Sequence, residues 1–397
     1  DLSGAITADS ADLTSTNGAI TQSGGTLTVV TGPTNLEAGG AITLDQDNDF
    51  NGTVNVLGGT DITLNDKNAL TLGDITASGK LDATAATDLN LDGTIAVDEL
   101  EATATSGAIT QGDGGTLTVA TGPTTLTAGT DITLDAATND FNGPVNADGA
   151  NLTLVDGTGG LTLGEVSASG TLDATSTDGA IEQAGGTTIA VTGETTLTAS
   201  DGGDPATDFD ITLNGANNDF GSPLNATGKA ITLNDKNALT LGEVTASGKL
   251  DATATNDLDL SGAITADSAD LTSTNGAITQ SGGTLTVVNG PTNLDANGAT
   301  TLDQANDFNG TVNVLGGTDV TLNDTDDLTL GDVAASGKLE ATAAEDLDLS
   351  GTISTNSADL TSTNGAITQS AGTLTVETGP TNLEAGGAIT LDQDNDF

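Results

Sequence analysis

The chain repeats itself, and that repetition limits what it can fold into more than any other feature. "GAITQ" or a near variant recurs at Gly18, Gly107, Gly179, Gly276 and Gly365, with spacings of 89, 72, 97 and 89 residues. "NDF" recurs with its aromatic at Phe50, Phe141, Phe220, Phe308 and Phe397, and "ASG-x-LxAT" starts at Ala77, Ala168, Ala246 and Ala335. Residues 1–30 are identical to 259–288, and residues 33–50 to 380–397. Copies this alike mark an array in which each unit packs on its neighbours. The units run 18–106, 107–178, 179–275 and 276–364, with a partial unit at 365–397, and the whole reads as one continuous segment.

The unequal spacings carry information about the unit. The 72-residue copy lacks 17 residues that correspond to Thr87–Thr103, while the 97-residue copy gains eight at Asp201–Asp208, "DGGDPATD". A loop can have any length. A loss that leaves everything downstream in pattern must instead remove a whole structural layer. This predicts layers of 17–20 residues. Short alternating runs such as "TLTVV", "AITL", "TVNV" and "DITL" read as strands, punctuated by Gly, Asn, Asp and Ser clusters. No segment has helical periodicity. The expected fold is an all-β parallel β-helix, a β-solenoid of about 22 coils stacked 4.8 Å apart over roughly 105 Å. A string of immunoglobulin-like sandwiches is the rival, since 89 residues is near the size of one such domain. It is disfavoured by the near absence of aromatic residues, by the layer-sized loss and by the lack of linkers.

Composition removes most chemistry. The 397 residues include no Cys, His, Met, Trp or Tyr, and all six basic residues are Lys. There is no imidazole for acid–base work or zinc, and no thiol nucleophile. Six Lys against 57 Asp and Glu give a net charge of -51, which argues against nucleic acid as a partner. No apolar run is long enough to span a membrane. The chain begins and ends inside a repeat, so it reads as a window on a longer protein. At about 2.3 net charges per coil, the charge density approaches that of duplex DNA and should draw counterions. No cofactor is expected beyond calcium as a loosely bound counterion.

"LTLGDITASGKLDATA" (Leu70–Ala85) and "GAITQSGGTLTVVTGPTNLEAGGAITLDQDNDFNGTVNV" (Gly18–Val56) resemble the repeats of filamentous-haemagglutinin-like giant surface proteins, the bacterial "beta strand repeat" adhesins. The resemblance covers essentially the whole chain. It implies a right-handed parallel β-helix in an extracellular protein on a Gram-negative cell surface. With the composition, the expected role is a non-catalytic structural stalk or fibre segment, with an adhesin shaft whose faces contact another cell and a self-assembling extracellular filament subunit as alternatives. The partners so implied are adjacent repeats, other rods and possible neighbouring cell surfaces.

Three candidate sites stand out. Asp45, Asp47 and Asp49 alternate in "LDQDNDFNG" like the oxygen ligands of a calcium loop. Across the five copies only the Asn-Asp-Phe core persists, so Asn48, Asp49 and Phe50 read as a recurring corner. There Phe50, Phe141, Phe220, Phe308 and Phe397 are expected to plug the interior while Asn and Asp bond the turning backbone. The inserted Asp201, Asp204 and Asp208 form the one candidate contact loop, with a tolerated insertion as its bland reading. Paired-carboxylate catalysis and an ice-binding Thr-x-Thr face fit the sequence poorly. The first lacks partners for sugar, and the second recurs per unit instead of per coil. The six lysines are expected to pair with nearby acids, each pair worth ~0–1 kcal/mol.

Overall fold

The computed structural model describes residues 1–203 and 208–397. Contacts divide the chain into two compact units, Asp1–Gly193 with Thr198–Gly202, and Glu194–Leu197 with Gly203–Phe397. Each is a parallel β-solenoid. Among the described residues there are about 19 turns and no helix. Strands of two to a few residues dominate because Gly and Asn-Asp clusters interrupt each run, and each strand pairs with the one a turn later.

Register shows the length of a turn. In the first unit Ile42, Ile62, Leu81, Leu100, Thr124 and Val145 follow one another up a ladder, in steps of 20, 19, 19, 24 and 21 residues. In the second, Ile211, Ile231, Leu250, Ala269, Thr292 and Val312 step by 20, 19, 19, 23 and 20. The steps of 19 and 20 fall within the expected layer of 17–20 residues, the corner steps of 21–24 exceed it, and the turns are therefore fewer than 22. The landmarks "DITL", "KLDA" and "ELEA" sample only the short steps. The long steps contain the Gly-Pro-Thr corners, where Pro33 and Pro123 contribute a carbonyl to Ala11 N and Leu100 N and no donor is required.

The short repeat has lost one turn cleanly. In the first repeat Leu70 pairs with Leu89, and Leu89 with Ile109. Leu239, Leu258 and Ile278 do the same, as do Leu328, Leu347 and Ile367. In the short repeat Leu161 pairs directly with Ile181, the equivalent of Ile109. The turn of Leu89 is absent and the ladder closes over the gap.

Alternation builds the core. The strand Ile62–Asp66 buries its first, third and fifth residues, so Ile62, Leu64 and Asp66 all point inward. Stacked columns such as Ile42–Ile62–Leu81–Leu100 are fully buried. Each such Leu or Ile is worth roughly 1.5–3 kcal/mol of burial. Of the parallel pairings that carry a register shift, four have it at the glycine of an "LTLG" run, between Val54 and Val56 for Gly73. A side chain there would displace Asn55, because a Cβ on Gly73 would lie 2.1 Å from Asn55 Oδ1. That same Oδ1 accepts the Asp74 N–H at 3.2 Å.

Candidate functional site: a buried polar corner

The strand Ile42–Phe50 crosses the "LDQDNDF" corner, with Leu44, Asn48 and Phe50 facing inward and Asp45 and Asp47 outward. Asn48 is fully buried. Its Oδ1 accepts from Leu27 N and from Gln22 Nε2, both at 2.8 Å. Its Nδ2 donates to Leu44 O at 3.0 Å and Gln22 Oε1 at 3.2 Å. The two amides therefore satisfy each other across a turn, 26 residues apart. The pair recurs as Gln111–Asn139, Gln280–Asn306 and Gln369–Asn395. In each case the Asn oxygen also takes a leucine N–H, from Leu117, Leu285 and Leu374.

One turn later a buried carboxylate completes the corner. Asp66 accepts the Phe50 N–H at 2.9 Å and the Asn68 N–H at 2.8 Å. Asp156, Asp235 and Asp324 do the same for Phe141, Phe220 and Phe308 and for the residue two places on. Their next-turn neighbours are Ala85, Ser176, Ala254 and Ala343, too small to offer a charge. Burial pushes the Asp156 and Asp324 carboxyls up to about 6 and raises those of Asp66 and Asp235. The two backbone donors on each oppose this and are outweighed.

Phe50, Phe141, Phe220 and Phe308 are buried at this corner. Phe397, expected at the same corner, is 65% exposed. Asp49 is partly exposed and takes Lys67 Nζ at 3.0 Å, with Asn51 and Asn68 also donating to it. The hydrogen bond from Lys67 holds the Asp49 carboxyl below its ordinary value.

Two residues of the calcium-loop reading are engaged by protein groups. Asp45 bonds Gln46, Asp49 bonds Lys67, and no group of three acids among the described residues is arranged to hold an ion. The contact-loop reading changes. Asp201 is exposed, Asp204 lies outside the described residues, and Asp208 is buried, where a partner could not reach it. Five lysines pair with acids, and Lys229 forms no ion pair with a described residue.

Two members of the corner escape a reading of "NDF" alone. Gln22 belongs to "GAITQ" and Asp66 to "ITLND", and both are brought in by stacking. The signal for Asp66 was its phase, two residues beyond Leu64 on a period-two strand. Replacing Asn48 with Leu should cost about 2–4 kcal/mol, since Leu27 N–H and the Gln22 amide lose their acceptor. Asn51→Leu, on the outer side of the same corner, should cost about 0.5 kcal/mol or less. Guanidinium unfolding midpoints of the two variants would separate them.

The family described as "Repeats of unknown function (DUF5649)" matches residues 1–57, 59–100, 83–148, 149–227, 228–269, 253–315, 317–358 and 342–397. The chain belongs to the DUF5649 repeats. No curated protein and no solved structure matches it. Three DUF5649 matches, 59–100, 228–269 and 317–358, begin at equivalent glycines and each contains one buried aspartate, Asp66, Asp235 or Asp324. The corner is thus built by residues on both sides of a match boundary, with Gln22, Asn48 and Phe50 in the preceding match.

Proposed function

We propose that this segment is a non-catalytic structural stalk or fibre of a large extracellular bacterial surface protein, kin to the filamentous-haemagglutinin-like adhesins its repeats resemble. The observation that carries this reading is that the polar groups most suited to chemistry are spent on joining one turn to the next. Asp61, Asp74, Asp88, Asp131, Asp319 and Asp346 each use Oδ1 to accept a backbone N–H 19 or 20 residues onward. The buried aspartates close the Phe corner in the same manner. A scaffold that adds length by repeating a turn suits spanning or projecting. Calcium enters only as part of the counterion atmosphere drawn by the charge.

Surface display is tested on intact source cells with proteinase K added from outside, followed by immunoblotting with antibody to this segment. Loss of the signal without lysis is the expected result. Full protection, with digestion only after the cells are broken, would remove the extracellular part of the proposal. Binding of the purified segment to cells of other types would instead favour an adhesin shaft.

A further inference from the structure

We propose that Lys80, Lys249 and Lys338 are built-in counterions for stacked carboxylate pairs, and that a repeat keeps this lysine only where it keeps the turn supplying the second acid. The parallel ladder sets Asp82 directly beside Glu101, Asp251 beside Asp270, and Glu340 beside Asp359. Like charges directly opposite on neighbouring strands, about 4.8 Å apart, are destabilising. One ammonium meets each of these stacks. Lys249 Nζ lies 3.0 Å from Asp251 and 2.5 Å from Asp270, and Lys338 Nζ lies 2.8 Å from Glu340 and 2.5 Å from Asp359. Lys80 reaches forward to Glu101 and, at 3.8 Å, to Glu99. The turn before each pair presents a threonine, Thr63, Thr232 or Thr321, so the repulsion is confined to one step of the ladder.

The short repeat is the internal control. It reads "ASGTLDAT", with Thr171 where the other three copies have lysine. It is also the repeat in which Leu161 pairs directly with Ile181, so the turn corresponding to Glu101, Asp270 and Asp359 is missing. Asp173 stacks on Thr153 and makes no ion pair with a described residue. Acid pair and lysine were lost together.

Single variants of the whole chain test this by thermal melts in low salt. Lys249→Thr should lower the melting midpoint by about 2–4 °C, and Lys229→Thr, which removes the same charge from a site with no ion pair to a described residue, by about 1 °C or less. Adding Asp270→Thr to Lys249→Thr, which recreates the short repeat's chemistry, should recover most of the loss. Equal effects of Lys249→Thr and Lys229→Thr would overturn the proposal. So would Asp270→Thr raising the midpoint as much in the parent as beside Lys249→Thr, since general charge relief would then explain the recovery.

Discussion

Deleting Asp82–Leu100 leaves a folded protein with a melting midpoint within about 5 °C of the parent. The cut removes one register step, from Leu81 to Leu100. It joins Lys80-Leu81 to Glu101-Ala102-Thr103, the same "KLEAT" that occurs at Lys338–Thr342. The residues below the cut then meet Thr124 and its strand as Leu100 did, and every inward side chain keeps its phase. Deleting only Asp82–Leu91 ends half a turn out of place. Strand neighbours no longer match, and Asp and Thr are forced into positions held by Leu. That variant should lose more than about 10 °C or fail to accumulate in soluble form. Circular dichroism melts compare the two. If both deletions behave alike, stacking register is not what holds the chain together.

Acid should stabilise this protein. The four aspartates buried at the Phe corners have carboxyls raised above the ordinary value, to about 6 for Asp156 and Asp324. An acid raised on folding binds more protons in the native than in the unfolded state between its two pKa values. Its contribution is therefore complete below about 4 and is lost as pH climbs through about 6. A shift from 3.8 to about 6 corresponds to about 3 kcal/mol for each of Asp156 and Asp324. Asp49 and Asp359 run the other way, and their small contribution fails only below the ordinary carboxylate range. The melting midpoint should rise by several degrees from pH 7.5 to pH 5, and the rise should persist in 0.5 M sodium chloride. Salt at that strength screens exposed repulsion and leaves buried groups nearly untouched. A midpoint that stays flat or falls over this interval would refute the assignment.

The fold was legible because the copies are nearly identical and their runs alternate, so both the stacking and the inward face could be read from "ITL" and "LTL". Turn length was less so. Its short steps repeat as "DITL", "KLDA" and "ELEA", while the long ones are stretched by corners without a fixed sequence. At the site, persistence among copies picked out Asn48 and Phe50, which the fold buries, over Asp45 and Asp47, which face outward. It could not find Gln22, whose partner lies 26 residues away. Nor could it find Asp66, which reads as a loop acid until period two is carried one residue pair past Leu64. The lysines were seen as surface pairs, but the ladder was needed to show which acids stand side by side.

The inter-turn brackets bear on how such a chain ages in evolution. Asp131 holds Asn151 N, and Asn151 in turn holds Thr171 N at 3.1 Å through the same kind of side-chain oxygen. Asn146 does so for Glu165 and Asn225 for Glu243. Aspartate and asparagine are interchangeable as acceptors, and they differ by a whole charge. Lineages carrying this scaffold can therefore drift from strongly acidic to nearly neutral by single-base changes, with the architecture untouched. Their isoelectric points can change on one course while the turns keep a separate history.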